Sequence, residues 1–384
     1  MNKEVLKVFF KPLTWFNKAI KKDEKLIFFY TNLGFRDNVK AFYDYLIRKN
    51  YNDDYRIVVS SNDYEKYIES APTNVTFVGN KQGIKYFLKS KYAFYCFGKY
   101  PIKPSKNQTV VNLWHGTPLK KIGNLEKGLE KIDYNFFSIV AASSPLYKPI
   151  MAKIFGCNEE QVQILGNPRN DELFVPNKKE DELFKKDRIK DDYIKGGAGK
   201  LILWLPTYRE YNDDYIVSVL KKTQIEELNS KLKKSNIKMV IKMHPLQKAD
   251  AYKEKHSNIK FMTQKALEKK GLSVYALLRN ADALITDYSS AYFDYMLLNR
   301  PIAFTVEDIE EYRKKRGFVF DNPFEYMPGE KINSYEDLEK YVVNVAEDND
   351  VFAAERERVN MIINSYNDGE SCQRVEKKVF GGIK

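Results

Sequence analysis

The feature that most constrains this chain is a rhythm that plays twice. Short apolar runs rich in β-branched and aromatic residues alternate with stretches of helical spacing. The first series comprises KLIFFYTN (25–32), YRIVVSS (55–61), VTFVG (75–79), YAFYCFG (92–98), TVVNLWH (109–115), FSIVAAS (137–143) and VQILG (162–166), with helix-like stretches such as 36–49 and 81–90 between them. Alternation of this kind predicts parallel strands joined by crossover helices. A polar stretch, 176–200, follows; it is rich in Lys and Asp, contains GGAG at 196–199, and reads as a linker or a pair of surface turns. The rhythm then resumes with strands at 201–207, 238–244, 258–263, 283–287 and 301–305, helices at 216–235, 273–281 and 289–299, and a helical tail over 334–367. A chain of 384 residues has room for two domains. The expectation is therefore an α/β protein of two Rossmann-like domains facing across a cleft, 25–175 and 176–384, the latter carrying the C-terminal helices. Ligands in such sheets sit outside the carboxyl ends of the strands.

Charge narrows the partners. Lys and Arg number 64 against 52 Asp and Glu, a net charge of +12, which favours anionic ligands or surfaces. Most aromatic residues fall inside the strand runs and read as core rather than as base-stacking platforms, and no nucleic-acid module pattern is visible. No nucleic-acid partner is expected; a basic nucleic-acid-binding protein is the alternative from a different class. The cysteines Cys96, Cys157 and Cys372 form no C-x-x-C pair, which argues against a zinc knuckle, an iron–sulfur site or a disulfide framework and suits a reducing cytoplasm. No run of 18 apolar residues suggests a membrane span, and no secretory signal is apparent at the N-terminus. Residues 1–24 instead read as an amphipathic helix. Val5, Phe9, Leu13, Phe16 and Ile20 share one face, with Lys7, Lys11, Lys18 and Lys22 nearly opposite. That pattern suits a helix lying in an anionic lipid headgroup layer or one packed on its own domain, and Pro12 is expected to kink or split it.

Four strand tips carry unusual residues. After TVVNL come Trp114, His115, Gly116, Thr117, Pro118, Leu119, Lys120 and Lys121. Thr117 reads as an N-cap and Pro118 as a first helical residue, leaving His115 at the tip and Gly116 open to close approach. After KMVIK come Met243, His244 and Pro245. The chain has three histidines, two of them at predicted strand tips, which gives one candidate general base and one candidate phosphate partner; His256 reads as solvated in a polar loop. After ALIT come Asp287, Tyr288, Ser289 and Ser290, with Asp294 a turn later. A helix start at the serines favours an anion, although ordinary capping gives the same pattern; Asp294 reads as a hydroxyl acceptor or as solvated. Arg209, after Pro206 and Thr207, and Arg169, after GNP, each follow a strand and carry forks suited to phosphate. No phosphate loop, dinucleotide fingerprint or metal-ligand cluster is found, so a metal-independent reaction without a cofactor is the simpler expectation.

Taken together, WHGTPLK (114–120), GNPRND (166–171), PTYR (206–209), MHP (243–245), TDYSSAYFDYMLLNRPIAF (286–304), EYRKKRGFVFD (311–321) and MPG (327–329) resemble the CDP-glycerol glycerophosphotransferase family of teichoic acid and capsule synthesis. The resemblance spans roughly 110–330 in order. It implies a GT-B fold and transfer of glycerol phosphate from CDP-glycerol to a hydroxyl of an undecaprenyl-diphosphate-linked saccharide, releasing CMP, at the cytoplasmic face of the membrane. It implies donor contacts from His115, Gly116, Thr117, Pro118, Leu119, Arg169, Pro206, Thr207, Arg209, Lys242, Met243, His244, Ser289, Ser290 and Asp294. His115 would be the base and His244 a diphosphate partner. The chain leans toward a primase or a capsule enzyme. Alternatives are CDP-ribitol as donor, a glycerol-phosphate polymerase of the same family, and a UDP-sugar glycosyltransferase or epimerase of the same fold.

Overall fold

A computed structural model describes residues 3–175, 199–207, 215–243 and 256–381, with side chains from Phe10 onward. The expected linker lies almost wholly outside the described residues, as do Arg209 and His244. The fold is mixed α/β, with contacts dividing the chain into two units, each built on a parallel sheet.

In the first unit the strands are β1 (Asp23–Thr31), β2 (Arg56–Ser61), β3 (Val75–Val78), β4 (Ser90–Tyr95), β5 (Thr109–Asn112), β6 (Ile139–Ala142) and β7 (Val162–Ile164), in the order β3-β2-β1-β4-β5-β6-β7. All neighbours pair parallel. Leu26 to Thr31 are buried without alternation, the pattern of a strand covered on both faces. In the second unit β8 (Lys200–Trp204), β11 (Ile237–Lys242), β12 (Ile259–Met262), β13 (Ala283–Thr286), β14 (Ile302–Thr305) and β15 (Glu330–Ile332) form a sheet of order β12-β11-β8-β13-β14-β15, while β9 (Tyr215–Val217) and β10 (Leu220–Lys221) make a separate antiparallel hairpin. Each sheet reverses its order beside its first strand, at β1/β4 and at β8/β13. That reversal opens the crevice where ligands of doubly wound sheets bind.

Several details differ from the sequence expectation. The stretch 216–235 is not one helix: the hairpin occupies its start and the helix runs from Ile225 to Lys234. Ser218, at positive φ in the tight turn, breaks the helical register. The tail is three helices, Tyr335–Ala346, Ala353–Ile363 and Ser371–Phe380. Residues 363–381 belong with the first unit and 118–121 with the second, in place of a single division near 176. The cause at the tail is apolar burial and capping. Cys372, Val375 and Phe380 join the core formed around Ile27, Phe29 and Phe94, and both carboxylate oxygens of Asp171 accept from the backbone N–H groups of Ser371 and Cys372 at 2.8 Å.

The N-terminal helix, Lys3–Ala19, runs through Pro12 without splitting. Phe10 and Asn17 pack inward. Asn17 Nδ2 donates to the Lys103 carbonyl at 3.0 Å and to Gln108 Oε1 at 2.9 Å. Lys22 Nζ donates to the Asn17 carbonyl and side chain, and burial pulls the Lys22 ammonium down to about 8. Trp15 and Phe16 face outward, 68% and 50% exposed. Among the described residues no helix is long and apolar enough to cross a membrane.

Candidate functional site

At the carboxyl edge of the first sheet the chain after β5 does not start a helix at Thr117 and Pro118. Asn112 Oδ1 accepts from the Trp114 N–H at 3.0 Å, and Trp114 and Gly116 both take positive φ, 55° and 115°. Those turns consume the residues a helix start would need. They also present His115. Its ring stacks on Phe97, centroids 4.6 Å apart and planes 15° off parallel, and lies 3.9 Å from the Trp114 ring.

The backbone around His115 is held by groups far away in sequence. Arg169 Nη1 donates to the His115 carbonyl at 2.9 Å and pairs with Asp37 at 2.8 Å. Asn38 Nδ2 donates to the carbonyls of Leu113 and Trp114, both at 3.0 Å, while its Oδ1 accepts from the Arg169 N–H. Cys96 Sγ also donates to the Trp114 carbonyl; burial first, and then the Asp37 carboxylate, push this thiol well up, so it serves as a neutral donor. Asn167 reaches Thr117 Oγ1 at 3.4 Å. Arg169, buried and engaged with protein acceptors, acts here as a brace for the histidine turn. Sequence reading missed Asp37, Asn38 and Phe97. The one local hint is that the helix Asp37–Arg48 begins with a residue in the left-handed region, Asp37 at φ 63°.

At the carboxyl edge of the second sheet the β8 and β13 tips are tied together. The Thr207 N–H and Oγ1 donate to the two oxygens of Asp287 at 2.7 and 2.6 Å, and Thr286 Oγ1 donates to the Leu205 carbonyl. Pro206 is buried and Thr207 half-buried. Tyr288 donates to Asp308 at 2.9 Å and packs its ring on Tyr312, centroids 4.3 Å apart. Ser289 and Ser290 are half-exposed. The helix expected over 289–299 is five residues, Ala291–Tyr295, followed by a 3-10 turn that ends at Asn299, itself left-handed. So short a helix has little dipole to offer an anion, and what the serines present is backbone and hydroxyl groups. Asp294 is not solvated: it is fully buried and accepts from Tyr275 Oη at 2.7 Å.

Lys242 ends β11 half-buried. Met243 is buried, with its N–H donating to the Met262 carbonyl. Pro118 and Leu119 are buried in the second unit, where the Leu119 carbonyl accepts from the Val319 N–H at 2.8 Å. His256 is not solvated either: its side chain is 3% exposed and its Nδ1 lies 2.5 Å from Glu226 Oε1. The structure thus gathers His115, Gly116, Thr117 and Arg169 on one sheet edge, and Pro206, Thr207, Ser289, Ser290 and Asp294 around the reversal of the other. Among the described residues no group of three or more His, Cys, Asp and Glu side chains is arranged to hold a metal ion.

Comparison with known proteins adds a family. The model described as CDP-glycerol:poly(glycerophosphate) glycerophosphotransferase matches residues 10–381. The teichoic acid glycerol-phosphate primase of Bacillus subtilis is 28% identical over 245 residues, covering 61% of this chain and 59% of that protein. The teichoic acid ribitol-phosphate polymerase TarL of Staphylococcus aureus is 27% identical and this chain spans 49% of its length. The teichoic acid glycerol-phosphate transferase of Staphylococcus aureus is 27% identical over 93% of both chains. In solved structures, the wall teichoic acid polymerase TagF superposes with a TM-score of 0.74 at 21% identity, covering 100% of this chain and 98% of that one. The fold is accordingly of the GT-B type that the sequence led us to expect.

Proposed function

Since the chain belongs to the CDP-glycerol:poly(glycerophosphate) glycerophosphotransferase family, we propose that it transfers glycerol phosphate from CDP-glycerol to a hydroxyl of a lipid-linked saccharide acceptor, releasing CMP. The observation that carries this reading is the coincidence of the family match with a histidine displayed at a strand tip: His115 is braced by Arg169 and Asn38 and stacked on Phe97.

In this reading the acceptor hydroxyl attacks the phosphorus that bears glycerol. A new P–O bond forms there, the bond to the CMP oxygen breaks, and the hydroxyl proton passes to the imidazole of His115. General-base assistance of this kind is worth about 10²–10⁴ in rate. Phosphoryl transfer needs little covalent chemistry from the protein beyond positioning and positive potential. Lys242, Arg209 and His244 are proposed to bind the diphosphate, and the backbone at Ser289 and Ser290 to hold the nucleotide phosphates at the β8/β13 reversal, where Thr207, tied to Asp287, fixes the strand tips. Pro118, Leu119 and Met243 are buried and are proposed to support the donor site from beneath rather than to touch the donor. Asp294, engaged with Tyr275, supports the floor of this edge. The exposed Trp15 and Phe16, beside exposed Lys11 and Lys18, support peripheral binding to the cytoplasmic face of an anionic membrane, where such an acceptor resides.

Incubation of the full chain with CDP-glycerol and a synthetic lipid-linked disaccharide tests the reading. The expected products are CMP and an acceptor heavier by one or more glycerol phosphate units, with mass analysis separating primase from polymerase behaviour. CMP release from CDP-ribitol in preference to CDP-glycerol would change the donor, and selective binding of UDP-sugars over cytidine diphosphates would replace the reading altogether.

A further inference from the structure

The second unit carries a cationic strip that neither the fold nor the strand-tip residues account for. It is assembled from two segments nearly two hundred positions apart. Residues 118–121 lie antiparallel against 317–319: Lys120 bridges Phe318, the Leu119 carbonyl accepts from the Val319 N–H, and the Lys121 N–H donates to the Gly317 carbonyl at 3.2 Å. Gly317 is at φ +69°, and a Cβ there would sit 3.0 Å from Lys121 Cδ. The Lys121 stem therefore lies over the glycine, next to Arg316. Just before this glycine, the helix Ile309–Lys315 ends in Arg313, Lys314 and Lys315.

Charge there is not balanced. Lys315 pairs with Glu311 and Arg313 approaches Glu310. Lys121, Lys314 and Arg316 are exposed and make no ion pair among the described residues. The strip is also joined to the strand tips already described. Tyr288, which precedes Ser289 and Ser290, packs on Tyr312 and on Phe318, the two residues that flank the cations, and Arg313 lies over the Phe318 ring. Three uncompensated cations on a rigid aromatic base beside an active-site edge raise the local concentration of anions. Lysine and arginine heads at that spacing suit successive phosphate oxygens.

We infer that Lys121, Lys314 and Arg316 form a subsite for the phosphodiester or diphosphate groups of the acceptor, distinct from the residues that hold the nucleotide donor. This deepens the transferase reading and rests on it for the identity of the acceptor. The strip serves to hold the anionic part of the acceptor while its hydroxyl is presented to the reacting phosphorus.

Binding of a soluble, fluorescently labelled glycerol phosphate hexamer to the full chain tests it. The double variant Lys314→Glu/Arg316→Glu is expected to bind roughly tenfold more weakly and with a flatter salt dependence, while its melting temperature and its affinity for CDP-glycerol stay unchanged. Lys233→Glu/Lys234→Glu, two exposed lysines also at the end of a helix, serves as the control and is expected to bind as the unmodified chain does. Equal loss in both pairs would reduce the effect to overall charge and overturn the subsite. So would unchanged hexamer binding, or a loss seen only with phosphatidylglycerol vesicles, which would assign the strip to lipid headgroups. Hexamer binding is read without turnover, so an unmodified chain that releases no CMP would count against the transferase reading separately.

Discussion

The two sheet edges solve the same problem by opposite means. On the first, every group around His115 is tied inward: Asp37 to Arg169, Arg169 to the His115 carbonyl, Asn38 to two further carbonyls. Charge is paired and buried, and two non-glycine residues, Asp37 and Trp114, hold positive φ. On the second, one buried carboxylate, Asp287, fastens the strand tips, aromatic rings carry the rest, and the cations beyond them stay in solvent. Under the proposed roles the difference has a reason: a general base has to be aimed, which calls for fixed geometry, whereas a surface that gathers phosphates has to keep a positive field, as the exposed Lys121, Lys314 and Arg316 do.

That contrast can be broken by substitution. His115→Ala is expected to lower CMP release by about 10²–10⁴ with no change in melting temperature; full turnover by this variant would remove the assigned role. Asp37→Ala removes the carboxylate that pairs with the buried Arg169 guanidinium, and removing one member of a buried pair costs about 3–5 kcal/mol, to be read in denaturant titrations. The double variant Asp37→Ala/Arg169→Met should recover most of that stability yet remain slow, because the His115 carbonyl has lost its brace. At the second edge Thr207→Val removes one hydroxyl bond to Asp287 and should cost about 1–3 kcal/mol. A larger loss there than at Asp37 would reverse the comparison.

The smallest effect is a pH profile. Burial holds the ammonium groups of Lys22 and Lys331 down to about 8 from 10.5. From about pH 8 to 10.5 the unfolded chain therefore binds more protons than the folded one, and stability rises with pH. Burial pushes the Tyr30 and Tyr43 phenols up to about 12 from 10.0. Above about pH 10 the folded chain is the one that keeps protons, and stability falls as pH rises. Midpoints of denaturant unfolding should pass through a maximum near pH 10, and Lys22→Met should flatten the rising limb. A steady decline from pH 8 upward would contradict both assignments.

Most strands were legible because fully buried parallel strands write themselves as unbroken apolar runs, as in LIFFYT of β1. Strand tips were legible for the same reason, and with them His115, Thr207 and Ser289. β15 was not, since three residues of GEKI carry no period. Nor were the hairpin at 215–221 and the partners of His115. Asn38 meets Arg169 across 131 positions, and pairing of that range leaves no local signature. The pairing of Lys120 with Phe318 is equally silent: each segment alone reads as ordinary surface charge. His256 was misjudged, and Asp294 left open between hydroxyl acceptor and solvated group, because polar side chains in polar sequence look exposed until a partner such as Glu226 or Tyr275 is placed beside them.

The return of residues 363–381 to the first unit has a bearing on synthesis. Phe380 packs against Tyr92 and Tyr51, and Asp171 waits for amides 200 positions downstream. During translation the half made first leaves the ribosome with an open seam in its interior, and that seam stays unsealed until the helix Ser371–Phe380 emerges. Proteins that fold domain by domain complete the N-terminal one early; here the earlier-made domain can be completed only after the whole of the later-made one has been synthesised.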